Sequence, residues 1–145
     1  MGHVDAARAV GGAVKGYTPH SKYEERFYAA LREYPELFRT VQTEYRFAEG
    51  RQFRFDFAWP EVRICAECEG GTYLARRNPT TGKMMVGGRH NTDADREKYN
   101  LAAALNWRVF RFSSTQLKHP RQCVAEVLAA VRAAGRKLTA QAELF

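Results

Sequence analysis

The sequence predicts an α/β domain in which helices pack on a mixed β-sheet. Segments with helical spacing and segments with strand alternation follow in the order helix–strand–strand–strand–helix–strand–helix. The three consecutive strands read as a meander, and the helix before the fourth strand supplies a crossover. A length of 145 residues fits one domain and is enough to bury about 70% of the unfolded surface.

Residues 1–20 carry Gly11, Gly12, Gly16 and Pro19 with little periodicity, and read as a flexible N-terminal arm. Ser21 opens the first helix, because Ser21 and Glu24 have the S-x-x-E capping-box spacing. Phe27, Ala30, Leu31 and Tyr34 follow on one helical face, and Pro35 ends or kinks that helix. Residues 41–47 (VQTEYRF) alternate as a strand, and Glu49-Gly50 turns the chain. In residues 53–59 alternation puts Phe53, Phe55 and Phe57 on one face, with Arg54 and Asp56 on the other. Trp59-Pro60-Glu61 is a tight break. Residues 62–69 then place Val62, Ile64, Ala66 and Cys68 on one face, with Arg63, Cys65, Glu67 and Glu69 on the other.

Residues 70–92 include Gly71, Pro79, Gly82, Gly87 and Gly88 and show no periodicity. A connection of about 20 such residues is unusual in a compact domain, and is often functional or disordered. A helix is expected from Thr92 to about Leu105, capped by Thr92 or Asp93 and by Asn106, with Tyr99, Leu101, Ala102 and Leu105 on its apolar side. Residues 107–112 (WRVFRF) form the fourth strand. Pro120 opens a last helix with Val124, Val127, Leu128 and Val131 inward, ending at Gly135. The expected limits are an arm over 1–20, one domain over 21–135 and a tail over 136–145. Trp59 and Trp107 are expected in the core.

The chain has 23 Lys+Arg against 16 Asp+Glu, a net charge of +7, and an isoelectric point near 9.6. That balance favours anionic partners, nucleic acid being the commonest. No apolar run approaches the roughly 20 residues that span a bilayer, and the N-terminus lacks a signal-peptide core. No membrane partner and a cytoplasmic location are therefore expected. Cys65, Cys68 and Cys123 are an odd set with no second ligand pair. Cys65 and Cys68 fall three apart in a strand, so they face opposite sides and read as small packed residues.

Glu67 and Glu69 share a strand face, and Asp56 meets them if the two segments pair as a hairpin. Three carboxylates converging on a sheet rim, in a basic chain, point to a divalent-metal site in a protein that binds a polyanion.

The element order and these acidic positions resemble the PD-(D/E)XK nuclease superfamily over residues 21–112. The likeness is carried by Ser21-x-x-Glu24 with Arg26, by Phe55-Asp56-Phe57 with Ala66-Glu67-Cys68-Glu69-Gly70, and by Asp95-Arg96-Glu97-Lys98 continuing into residues 105–112 (LNWRVFRF). That last stretch resembles very-short-patch repair endonucleases. Size, charge and the helix-borne Glu-Arg resemble archaeal-type Holliday-junction resolvases, including phage-encoded ones, for which the location would be the host cytoplasm. Phe55 stands where the family has proline, and Glu69 where it has lysine. The repair enzymes' mismatch-site histidines have one candidate here, His90.

The resemblance implies a restriction-endonuclease-like fold and a Mg²⁺-dependent DNA endonuclease, with Mn²⁺ as a substitute. The first expectation is a homodimeric Holliday-junction resolvase acting on branched DNA in recombination and repair. A mismatch-repair or restriction-like duplex endonuclease is the second, and a non-catalytic nucleic-acid-binding module the third. The implied catalytic residues are Glu24, Asp56, Glu67 and Glu69. Asp56, Glu67, the Cys68 carbonyl and Glu24 would hold metal, and Glu69 would act as general base or second-metal ligand. Glu25 rivals Glu24 as the helix-borne acid. Arg26, Arg54, Arg76, Arg77, Lys83, Arg89, His90, Arg96 and Lys98 are the expected DNA contacts.

Overall fold

The computed structural model describes residues 16–69, 76–85 and 92–144. In chain order the elements are α1 (Lys22–Leu31), α2 (Pro35–Phe38), β1 (Gln42–Arg46), β2 (Arg54–Trp59), β3 (Ile64–Glu69), β4 (Arg76–Arg77), β5 (Met84–Met85), α3 (Asp93–Ala104), β6 (Arg108–Ser113), a 3-10 turn (Gln116–Lys118) and α4 (Pro120–Glu143). The chain is α/β: β1, β2, β3 and β6 form one mixed sheet in that order. β1–β2 and β2–β3 are antiparallel, and β6 runs parallel to β3 from Ile64↔Arg108 to Glu69↔Ser113. A parallel neighbour requires a crossover connection, and α3 lies in it.

Local chemistry sets the element ends. The Ser21 hydroxyl accepts the Glu24 N–H (3.2 Å), while the Glu24 carboxylate reaches past the cap to the His20 N–H (3.3 Å). Only half of the expected capping box therefore forms. Thr92 and Asp95 complete a reciprocal box on α3. Asn106 takes a φ of 63° just beyond that helix, a left-handed conformation that asparagine tolerates well. Pro35 stops α1 and starts α2, where its missing N–H leaves nothing unpaired.

The core divides across the sheet. On the α1 and α4 side, Phe27, Leu31, Phe57, Trp59, Ile64, Ala66, Phe112, Val124 and Val127 form one cluster. On the α3 side, Phe55, Ala58, Cys65, Ala102 and Trp107 form another. Cys65 and Cys68 fall in different clusters, as their spacing requires. Burial pushes both of these thiols well above the ordinary range, and the Cys123 thiol up to about 11. The Trp59 indole N–H donates to the Leu37 carbonyl (3.0 Å), tying β2 to α2.

Four expectations are corrected. α4 continues through Gly135 to Glu143, so the expected helix end at Gly135 does not stand. Ala-rich sequence before Gly135 and helix formers after it outweigh the roughly 1 kcal/mol cost of one glycine. Within the expected arm, Tyr17 is half-buried against Tyr28 and Phe57; residues 1–15 lie outside the described residues. Within the expected long loop, β4 pairs with β5 as Arg76↔Met85 and Arg77↔Met84. Lastly, Phe55 and Phe57 do not share a face. Phe55 stacks on Phe47 (4.1 Å between centroids), whereas Phe57 meets Phe27 (4.9 Å) in the other cluster. Among the described residues, no helix is long and apolar enough to cross a membrane.

Candidate metal centre at the break in the sheet

The switch of faces in β2 occurs at Asp56. The β1–β2 ladder pairs Thr43↔Phe57 and Tyr45↔Phe55 but skips the level between them, Glu44 opposite Asp56. Glu44 has a φ of 52°, far from extended backbone. The β2–β3 ladder likewise stops at Phe57↔Ala66, one level short of Asp56 and Glu67. Side chains replace the missing bonds. The Asp56 N–H donates to Glu67 Oε2 (2.8 Å), and the Cys68 N–H donates to Asp56 Oδ2 (2.8 Å). A backbone group in this partly buried place needs a partner, and two carboxylates supply it. The acids are thereby fixed to the sheet at the point where its regularity fails.

Two further acids join from outside this hairpin. Glu24, on α1, is 4% exposed. The Tyr17 hydroxyl donates to its Oε1 (2.6 Å) and the His20 N–H to its Oε2. Glu44 comes from β1. His20, Glu24 and Glu44 each offer a ligand atom, all within 4.8 Å of one another. Glu44 Oε1 is shielded from solvent and has no hydrogen-bond partner, although His20 Nδ1 stands 3.3 Å away. Arg54 Nη1 is 4.0 Å from Glu44 Oε2.

Electrostatics follow from this crowding. The Asp56 carboxyl is held well above the usual range, first by burial and then by the Glu67 charge, with Glu24 adding to the effect. Burial also raises the Glu44 carboxyl, and Glu24 and Glu67 raise it further against the pull of His20 and Arg54. The Tyr17 and Tyr99 hydroxyls are raised by burial and by the acids beside them.

Glu67 and Glu69, 4% and 6% exposed, meet a different environment. Lys98 of α3 places its ammonium on Glu67 Oε1, and Arg111 of β6 places its Nε on Glu69 Oε1. The Tyr99 hydroxyl lies 3.2 Å from Oε1 of each glutamate and bridges them.

The structure thus brings together Glu24, Asp56, Glu67 and the Cys68 backbone, with Glu69 one strand repeat from Glu67. It separates Glu24 from its rival: Glu25 is exposed. Of the expected DNA contacts, Lys98 and Arg54 stand at the acidic site. Arg96 pairs with Asp93 (3.0 Å), and Arg77 Nη1 donates to the Gly82 carbonyl (3.1 Å). Arg26 is exposed beside Tyr23, Lys83 is exposed, and Arg76 belongs to β4. Arg89 and His90 lie outside the described residues. Sequence reasoning missed Tyr17, His20, Glu44, Tyr99 and Arg111. Glu44 lies in an alternating strand segment, where a carboxylate reads as a solvent-facing residue.

The donor set suits a hard divalent cation. Glu24, Glu44, Asp56 and Glu67 offer carboxylate oxygens, the ligands that Mg²⁺ and Mn²⁺ take; among the described residues the group whose ligand atoms all lie within 4.8 Å of one another is His20, Glu24 and Glu44, and Glu44 Oε1 makes no hydrogen bond. Comparison of the chain with family models, curated proteins and solved structures finds no match.

Proposed function

We propose that the chain is a Mg²⁺-dependent DNA endonuclease of the PD-(D/E)XK type, with a restriction-endonuclease-like fold, acting as a Holliday-junction resolvase on branched DNA. The observation that carries the reading is Asp56, held opposite Glu67 at a break in the sheet and joined by the buried Glu24 of α1. The net charge of +7 supports a polyanionic substrate.

Asp56, Glu67 and Glu24 would hold the metal, with Glu44 as a further donor. When bound, the ion supplies charge for the non-bridging phosphate oxygens and a lowered pKa for an attacking water. The chain's own residues do the rest. Cys68 N–H and Asp56 N–H fix the two central carboxylates to the sheet, so neither must be ordered when substrate arrives. Tyr17 orients Glu24. Tyr99 and Arg111 set the position of Glu69 beside Glu67. Exposed cations on β4–β5, α1 and α3 would take the DNA backbone. Cutting both strands of a four-way junction requires two sites, so a two-fold dimer is part of the reading.

End-labelled four-way junction, matched duplex and mismatched duplex, incubated with Mg²⁺, test the proposal. Paired nicks confined to the junction, absent in Asp56→Ala while DNA binding persists, are the expected result. Duplex cutting alone would move the substrate class to restriction or mismatch repair. Normal cutting by Asp56→Ala would remove the site assignment. The binding-module reading is favoured by one observation, the ion pairing of Glu67 and Glu69, and it requires that wild-type chain bind the junction and cut nothing.

A further inference from the structure

We propose that Lys98 is the resident counter-ion of the metal-free site. Its ammonium neutralises Glu67 until a divalent cation takes that carboxylate, and the released ammonium then faces the bound phosphate. The second half rests on the nuclease reading; the first does not.

Glu67 divides its oxygens between two duties. Oε2 accepts the Asp56 N–H (2.8 Å) and holds the break in the sheet together. Oε1 carries Lys98 and lies 3.2 Å from the Tyr99 hydroxyl. Oε1 thus has both of its lone pairs engaged, and a cation that binds Glu67 through Oε1 must take the place of Lys98. Two positive charges on one small oxygen repel strongly in a shielded place, so binding of the ion expels the ammonium.

The expelled group is poorly placed to escape into water. The Lys98 side chain is only 14% exposed, and the Glu67 side chain 5%. The ammonium lies 5.6 Å from the Phe55 ring centroid and 5.4 Å from that of Tyr99. An ammonium stripped of both water and counter-charge is costly, and a second anion at the site relieves that cost. A phosphate drawn to the metal is such an anion. Lysine suits the exchange because it is a compact charge on a flexible stem. Arg111 is not equivalent, since it pairs with Glu69 and its side chain is 42% exposed.

The test uses the full chain with Mn²⁺ as the probe, in wild type, Lys98→Met and Lys98→Arg. Calorimetry reads metal affinity, and labelled junction reads cleavage. Lys98→Met is expected to bind Mn²⁺ about tenfold more tightly, because its competitor is gone, and yet to cut at least about tenfold more slowly. Lys98→Arg restores the weaker metal affinity and part of the cleavage. Should Lys98→Met be loosely folded without metal, its melting temperature must rise more on Mn²⁺ addition than that of wild type. A structural ion pair alone predicts the reverse split, with metal affinity unchanged or weakened, and that result overturns the proposal. Wild-type cleavage rates in Lys98→Met overturn its second half. Tightened Mn²⁺ binding by Lys98→Met, with no DNA cut by wild type, keeps the counter-ion and removes the nuclease reading. Absence of Mn²⁺ binding in both chains removes both.

Discussion

Glu67 and Glu69 meet Lys98, Tyr99 and Arg111, whereas Glu24, Glu44 and Asp56 come from three other elements and meet mostly neutral donors. Four of the five acids lie on the sheet, and Glu24 lies on α1. Those of β3 are balanced within the fold: each has a cation in contact. Those of α1, β1 and β2 have, among the described residues, only the exposed His20 at 3.3 Å and Arg54 at 4.0 Å, both on Glu44. Burying carboxylates without cations costs stability unless something else supplies positive charge. Sequence position says little about this difference, and surroundings decide it. The balanced half reads as scaffold with a displaceable counter-ion. The unbalanced half is where charge is still wanted.

The comparison can be broken by neutralising one acid on each side. Glu67→Gln leaves the shielded Lys98 ammonium without its counter-charge, and should lower unfolding free energy by about 3 kcal/mol in urea titrations. A gain in stability would contradict the balanced half.

Asp56→Asn should act in the opposite direction. Because burial and Glu67 raise the Asp56 carboxyl, the folded chain retains a proton that the unfolded chain releases near the ordinary aspartate value. Stability is therefore greatest below that ordinary value, and it falls as pH rises toward the raised one. Melting temperature measured against pH in metal-free buffer should decline through that window in wild type. The amide variant keeps an acceptor for the Cys68 N–H, so its profile should be flatter and its neutral-pH stability higher by about 1 kcal/mol. Parallel profiles for the two chains would show that Asp56 is not the source.

Smaller effects sharpen the contrast. Glu44→Gln should stabilise the metal-free chain by about 0.5 kcal/mol while weakening Mn²⁺ binding roughly tenfold. Arg111→Ala should cost about 1 kcal/mol, because the pair with Glu69 is partly exposed. Equal signs for the two variants in thermal melts would erase the distinction between the halves.

Much of the frame was legible in the sequence because local rules were obeyed there. β3 alternates as written, with Ile64, Ala66 and Cys68 on one side and Cys65, Glu67 and Glu69 on the other. Ser21 caps α1, which turns Glu24 inward and leaves Glu25 in solvent. What failed to show was set by tertiary contacts. Alternation assigned Phe55 and Phe57 to one face, and the carboxylate bonds at Asp56 overrule it. Glu44 is drawn into the site by its unusual φ, which carries no signature in an alternating segment. Tyr17 lies in a glycine-rich stretch, yet packs on Phe57 and binds Glu24. Gly135 marked a helix end by local rule, while its helix-forming flanks carried α4 onward. The α/β sheet was readable; the site's charge balance required the neighbours that folding brings.

The most direct test of the central claim, that the Glu24, Glu44 and Asp56 side of the site takes a divalent cation, is calorimetric titration of metal-free wild type and Asp56→Asn with Mn²⁺. Two buffers of different ionisation enthalpy would count the protons released. Wild type is expected to bind saturably with net proton release as the raised Asp56 carboxyl ionises, and the variant to bind much more weakly without that release. Absence of saturable binding by wild type, or identical isotherms for the two chains, would contradict it.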